Sequence, residues 1–109
     1  MAKPNIIQLS EFDITQKIIE TLSNVCTRSV LFSVKSQSKD ATQIAEELKI
    51  PLSSVYKKLS DLEELTLIEV EKWMISEKGR KFKVYKSRIS RADISIKKPD
   101  PHLLLIPNK

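Results

Sequence analysis

The stretch that most constrains this chain is Asp40 to Ile68, DATQIAEELKIPLSSVYKKLSDLEELTLI. Asp40 is a good N-cap, and Gln43 three positions on completes a capping box. Ile44 and Leu48 then face inward, with Ala45 small enough beside them for a close helix crossing. Ile50-Pro51 ends this short helix. Proline disfavours helical backbone at the residue before it and suits the first turn of a new helix. The next helix is predicted from Leu52 to about Glu64, with Val55, Leu59, Leu62 and Leu65 as its buried stripe. Two helices so close together, with a tight turn between them, must cross and share one core.

That stripe leaves Ser53, Ser54, Tyr56, Lys57, Ser60 and Asp61 pointing elsewhere. The first turns of the helix are polar and basic, and its later part is acidic at Asp61, Glu63 and Glu64. A polyanion would be attracted to the first half and repelled by the second.

Before this stretch, the pattern predicts two more helices. Ser10 and Asp13 make a capping box, and Leu9 and Ile14 sit at staple positions. Ile14, Ile18, Leu22 and Val25 follow a helical period over about Glu11–Ser23, and Ile19 widens the stripe. Asn24 caps a second helix whose apolar positions are 26, 30, 31 and 34. Cys26 falls on that face, so it is expected to be a small buried hydrophobe and not a reactive thiol. Ile6 and Ile7 need cover from the core or from a second subunit.

After Leu67 the period changes. Ile68 to Ile75 has the β-branched and aromatic content of a strand, and Phe82 to Lys86 returns as its partner. Between them Ser76–Lys81 holds Gly79, the chain's only glycine, placed where a hairpin tip needs a positive φ. Ala92–Ile96 alternates like a third strand, and Pro99 and Pro101 end regular structure. Leu103–Ile106 is an apolar run that packs either on the domain's own core or on another subunit; the exposure cost of four apolar residues near a terminus favours the second.

Charge separates the chain into zones. Residues 1–70 carry 8 Lys/Arg against 10 Asp/Glu, residues 71–98 carry 10 against 3, and residues 99–109 balance, giving the net +5. The surplus surrounds the hairpin, as expected of a surface that meets polyanions. A solvated, lysine-rich sheet edge is the bland alternative.

Other classes find little support. No catalytic constellation and no glycine-rich phosphate loop stands out, so the chain reads as a non-enzyme without a cofactor. No run of about 18 apolar residues is present, and MAKPNIIQLS does not read as a signal peptide. Cys26 alone can form no internal disulfide, which fits a cytoplasmic setting. Cys26 and His102 are too few for a metal site of the usual kind.

Taken in order, helix, helix, helix-turn-helix and basic hairpin resemble a winged helix-turn-helix transcriptional regulator of the ArsR-like group, in its archaeal form. Thr27-Arg28 with Val30-Leu31, Asp40–Leu48, Ser54–Leu59 with Leu62, Leu67 and Ile68, and Ser76–Lys81 with Tyr85 carry the resemblance over about residues 27–86. It implies a single, mainly α domain with a small antiparallel β-wing (α+β). The helical part would cover about 10–66, the wing about 67–89 and a C-terminal strand and tail about 90–109. The family often has glycine where Lys49 and Thr66 stand, just past two helix ends. Here the backbone must either turn differently or accept strain. Paired cysteines or clustered histidines of metal-sensing relatives are missing, and the family's usual last helix is not evident.

The resemblance implies sequence-specific binding of double-stranded DNA, with the second helix in the major groove and the wing on the backbone or minor groove. Lys57, Lys58, Lys72, Lys78, Arg80 and Lys81 would neutralise phosphates, with Gly79 at the wing tip. Ser53, Ser54 and Tyr56 would reach base edges or adjacent phosphates, and Leu52 a thymine methyl. Tyr56 could instead pack over the helix flank, though DNA contact is favoured. Trp73 is expected in the core or an interface before serving as a base-stacking platform. A homodimer is expected from the resemblance and the apolar ends, its recognition helices about 34–36 Å apart. The competing readings are a protein-binding winged helix within a larger assembly and a sensor for a small molecule.

Overall fold

The computed structural model describes the backbone from Glu11 to Lys109 and the side chains from Asp13. The expected cap at Ser10, the staple at Leu9 and the pair Ile6-Ile7 lie outside the described residues. Four helices come first: α1 (Glu11–Leu22), α2 (Val25–Ser33), α3 (Ala41–Leu48) and α4 (Leu52–Glu64). Two antiparallel hairpins follow, β1 (Ile68–Ile75) with β2 (Lys81–Ser87), and β3 (Ile89–Ser95) with β4 (His102–Pro107). The result is the expected α+β arrangement, winged-helix-like, with a second hairpin where only a strand and tail were expected.

The helices start where capping chemistry puts them. The Asn24 side chain accepts from Thr27 N–H at 3.0 Å. The Asp40–Gln43 capping box forms in both directions, at 2.8 and 2.9 Å. Arg28, inside α2, reaches back to donate to the carbonyls of Leu22 and Ser23 at the end of α1, at 2.8 and 3.0 Å. Its charge therefore sits at the negative end of the α1 dipole, and this contact fixes the α1–α2 corner.

Ile18, Leu22, Val30, Leu31, Val34, Ile44, Val55, Leu59, Leu62, Leu67 and Ile68 form the core, and Tyr85 and Ile89 close it from the hairpins. Each fully buried aliphatic side chain here contributes about 1.5–3 kcal/mol. Leu65 packs against this cluster from its edge.

The α2 expectation fails at one position. Cys26 is exposed, and Thr27 takes its place on the buried face. Spacings of three and four fit a helix face equally well, so Val30 and Val34 can be joined by either neighbour. The tie is broken because Thr27 can bury its hydroxyl, which donates to Asn24 Oδ1 at 3.3 Å. Val25, read as the end of the α1 stripe, opens α2 instead and is also exposed.

Lys49 and Thr66 both adopt the left-handed conformation, with φ of 57° and 60°. Of the two routes open to residues that replace glycine, the chain takes the strained one. The turns still close: Ile50 N–H donates to Ala45 O at 3.2 Å, and Leu67 N–H to Leu62 O at 3.0 Å.

In the first hairpin, Ile68 faces Ser87, Val70 faces Tyr85, Trp73 faces Lys83 and Ile75 faces Lys81; the register shifts between Val70 and Lys72. The base of this wing is tied to the helices. Lys39, just before α3, exchanges backbone hydrogen bonds with Tyr85 at 2.8 and 3.1 Å.

The tail also departs from expectation. Leu103–Ile106 is part of β4, where Leu103 faces Ile94 and Leu105 faces Ala92. Leu103 and Leu105 pack on the domain's own core, while Leu104 alternates to the outside. Pairing with β3 supplies the cover that a lone apolar run would need from a second subunit. Past β4, the Asn108 amide donates to Lys35 O and Ser87 O at 2.8 and 3.0 Å, so the chain end joins the exit of α2 to the end of β2.

Candidate nucleic-acid interface

Helix geometry sorts the first two turns of α4. Its buried stripe is Val55, Leu59 and Leu62. With 3.6 residues per turn, Ser53 and Lys57 lie opposite that stripe, followed by Ser60 and Glu64 on the same line. All four are exposed. Leu52, Tyr56 and Glu63 share the flank toward the wing. Ser54 and Lys58 fall on the other flank and are half-buried. The six residues expected to touch DNA as a group are thus spread over three directions, and only Ser53 and Lys57 crown the helix.

The start of α4 is polar but uncapped. Pro51 occupies the N-cap with φ −58°, no side chain accepts from the first turn, and no acidic residue stands there. The end of a helix dipole so arranged favours an anion. The acidic residues lie two turns away at Asp61, Glu63 and Glu64.

The wing turn is built on Ser76. Its N–H donates to Arg80 O at 2.8 Å, its carbonyl accepts from Gly79 N–H at 2.8 Å, and its hydroxyl accepts from Arg80 N–H at 3.1 Å. Gly79 has φ 79°, and a Cβ there would meet nothing within 4 Å. Glycine is needed for the backbone angle alone. Lys78, Gly79, Arg80 and Lys81 are all exposed on this tip.

Between wing and helices runs a cleft of about 620 Å³. Leu52 and Tyr56 of α4 line one side; Trp73, Arg80, Lys81 and Lys83 of the wing line the other. The start of α3, at Asp40 and Thr42, closes it toward the core. Of the eleven residues expected to bind DNA, the cleft gathers Leu52, Tyr56, Arg80 and Lys81. Lys72 alternates with Trp73 along β1 and so projects from the other face of the wing, while Lys78 and Gly79 stay at the tip.

Two cleft residues were missed in the sequence. Of the two places expected for Trp73, the core is excluded, since the residue is 59% exposed. The Lys83 ammonium lies 5.4 Å from its ring centroid, within cation–π range. Both residues follow from strand alternation once the register is known, but the register itself depends on the bulge at Glu71. Tyr85 lies deeper. Its phenol is raised above the ordinary 10.0, first by burial, then by the Glu63 carboxylate and by Tyr56.

Among the described residues, no group of three or more His, Cys, Asp or Glu could hold a metal ion. No described helix is long and apolar enough to cross a membrane. No protein-family model matches the chain, and no curated protein matches it either.

Proposed function

We propose that the protein is a regulator of transcription that binds double-stranded DNA, with the Ser53–Lys57 face of α4 in the major groove and the wing tip on phosphates. One observation carries this reading: Leu52 and Tyr56 at the exposed, uncapped start of α4 and Arg80 and Lys81 of the wing line a single cleft. Lys57 and the wing cations supply affinity that salt screens. Ser53 and Tyr56 supply contacts to base edges or nearby phosphates. Of the acidic residues in the second half of α4, Glu63 lies toward the base of the wing, beside Tyr85; Asp61 and Glu64 lie two turns or more beyond Ser53, away from the end of the helix that meets the duplex. A reducing, cytoplasmic setting goes with this reading, since the one cysteine has no partner in the chain.

A homodimer reading a near-palindrome belongs to the same proposal. Ile94 and Leu104, 44 and 49% exposed on opposite faces of the second hairpin, and Ile96, 72% exposed just past β3, offer apolar surface for it. Sedimentation showing only monomer well above micromolar concentration argues against pairing.

Titration of duplex DNA across a salt series tests the main reading. The expected result is a steep fall in affinity with salt. In the Arg80→Ala, Lys81→Ala double variant the log–log slope should become shallower by about 2, close to one unit per lost phosphate contact. Affinity no better than that of an unrelated protein of equal charge would refute it.

A further inference from the structure

The cleft beside α4 is lined more like a ligand site than like a surface that only grazes a double helix. Its volume of about 620 Å³ falls in the size range of small-ligand clefts, ~300–1,000 Å³, and it is open to solvent along one side. A duplex, whose major groove alone is ~12 Å wide, does not enter such a space. Two aromatic rings stand in it, Tyr56 at 53% and Trp73 at 59% exposure. Three cations stand with them: Arg80, Lys81 and Lys83. None of the three forms an ion pair among the described residues. The one carboxylate in the lining, Asp40, is engaged in capping α3, where it accepts from Gln43 N–H.

Exposed indole surface inside a basic cleft has a specific use. Lys83 sits over the Trp73 ring, yet more than half of the residue remains accessible. A nucleobase can stack on such a ring, with its phosphates toward Arg80 and Lys81. A base within a duplex already has both faces covered by its neighbours, so only an unpaired base can do this.

We infer that the cleft binds an unpaired nucleotide in a strand continuing from the duplex, stacked on Trp73, so that the preferred partner is a duplex with a single-stranded extension or a locally opened site. This rests on the DNA reading for the position of the duplex, and on the cleft alone for the unpaired base. Trp73 is the chain's only tryptophan, so its fluorescence reports the site directly.

The test titrates the full chain with a blunt duplex, the same duplex carrying a short single-stranded extension, the isolated strand and a mononucleotide. The extended duplex should bind about ten-fold tighter than the blunt one and quench Trp73. Trp73→Ala should lose that preference, measured by anisotropy of labelled DNA, and Trp73→Phe should retain part of it. Equal affinity for blunt and extended duplexes would overturn the inference. So would quenching by the mononucleotide at the concentrations where the extended duplex saturates, because the strand would then contribute nothing. If the isolated strand quenches Trp73 while the blunt duplex shows no salt-sensitive binding, the cleft assignment holds and the placement of α4 in a groove falls.

Discussion

Lys39 and Tyr85 are 46 positions apart in the chain and exchange both backbone hydrogen bonds, at 2.8 and 3.1 Å. This single bridge fastens the base of the wing to the residue before the α3 cap. A second tie lies at the end of β2, where Ser87 N–H donates to Val34 O at 3.0 Å. The two walls of the cleft belong to elements on either side of the Lys39–Tyr85 bridge, so it sets their separation.

Replacing Lys39 by proline should therefore cost more than replacing it by alanine. Proline removes the N–H and leaves Tyr85 O without its donor, at about 1–3 kcal/mol. Alanine keeps both backbone bonds; it loses the ion pair with Glu47, worth about 0–1 kcal/mol, and the packing of the largely covered Lys39 stem. Denaturant midpoints of the two variants measure the difference. Equal costs would show that the bridge contributes nothing.

The left-handed residues offer a gain. At Thr66 a β-branched side chain is held at φ 60°, a conformation that costs an L-residue roughly 1–2 kcal/mol. Glycine relieves this but adds freedom to the unfolded chain, an offset of about 0.4–1 kcal/mol. Thr66→Gly should stabilise the protein by about 0.5–1 kcal/mol. Lys49→Gly should gain less, because lysine is unbranched at Cβ. A lower denaturant midpoint for Thr66→Gly would contradict the strain assignment.

Tyr85 predicts a loss of stability in alkali. Its folded pKa is raised above 10.0 by burial, then by Glu63 and Tyr56. Above about pH 10 the unfolded chain releases this proton first. The folded state then binds more protons than the unfolded state, so stability falls as pH rises toward the folded value. Tyr85→Phe removes this component. Urea midpoints at pH 8 and pH 11 should fall less in the variant than in the parent; identical falls would exclude a role for the phenol.

Cys26 should behave as a surface thiol. A maleimide reagent should modify it in native buffer without denaturant, and Cys26→Ser should change stability by less than about 0.5 kcal/mol. Protection that disappears only on unfolding would restore the buried assignment.

Local chemistry was legible. The Asp40–Gln43 box, the Asn24 cap, the Pro51 start of α4 and its Val55–Leu59–Leu62 stripe all depend on interactions within one or two turns, and residue identity decides those. The positive φ at Gly79 was equally plain, because a hairpin tip asks little of distant residues. At Lys49 and Thr66 the sequence showed the conflict but not its resolution. The packing of α3 and α4 fixes the turns, and the residues there accept the strain.

What the sequence determined by itself was the order of elements, the helix boundaries in the middle of the chain and the location of positive charge, since each follows from short-range periodicity or from composition. Tertiary structure alone decided that Thr27 and not Cys26 is buried, that Leu103 and Leu105 cover their own core, and that Trp73 stands in a cleft with Tyr56. Each of these depends on a partner far away in sequence. Helix spacing allows either neighbour to face inward, and an apolar run can find its cover in any nearby strand. The face of a wing that turns toward α4 follows from a bulge and a two-bond bridge, and neither has a signature in local residue types.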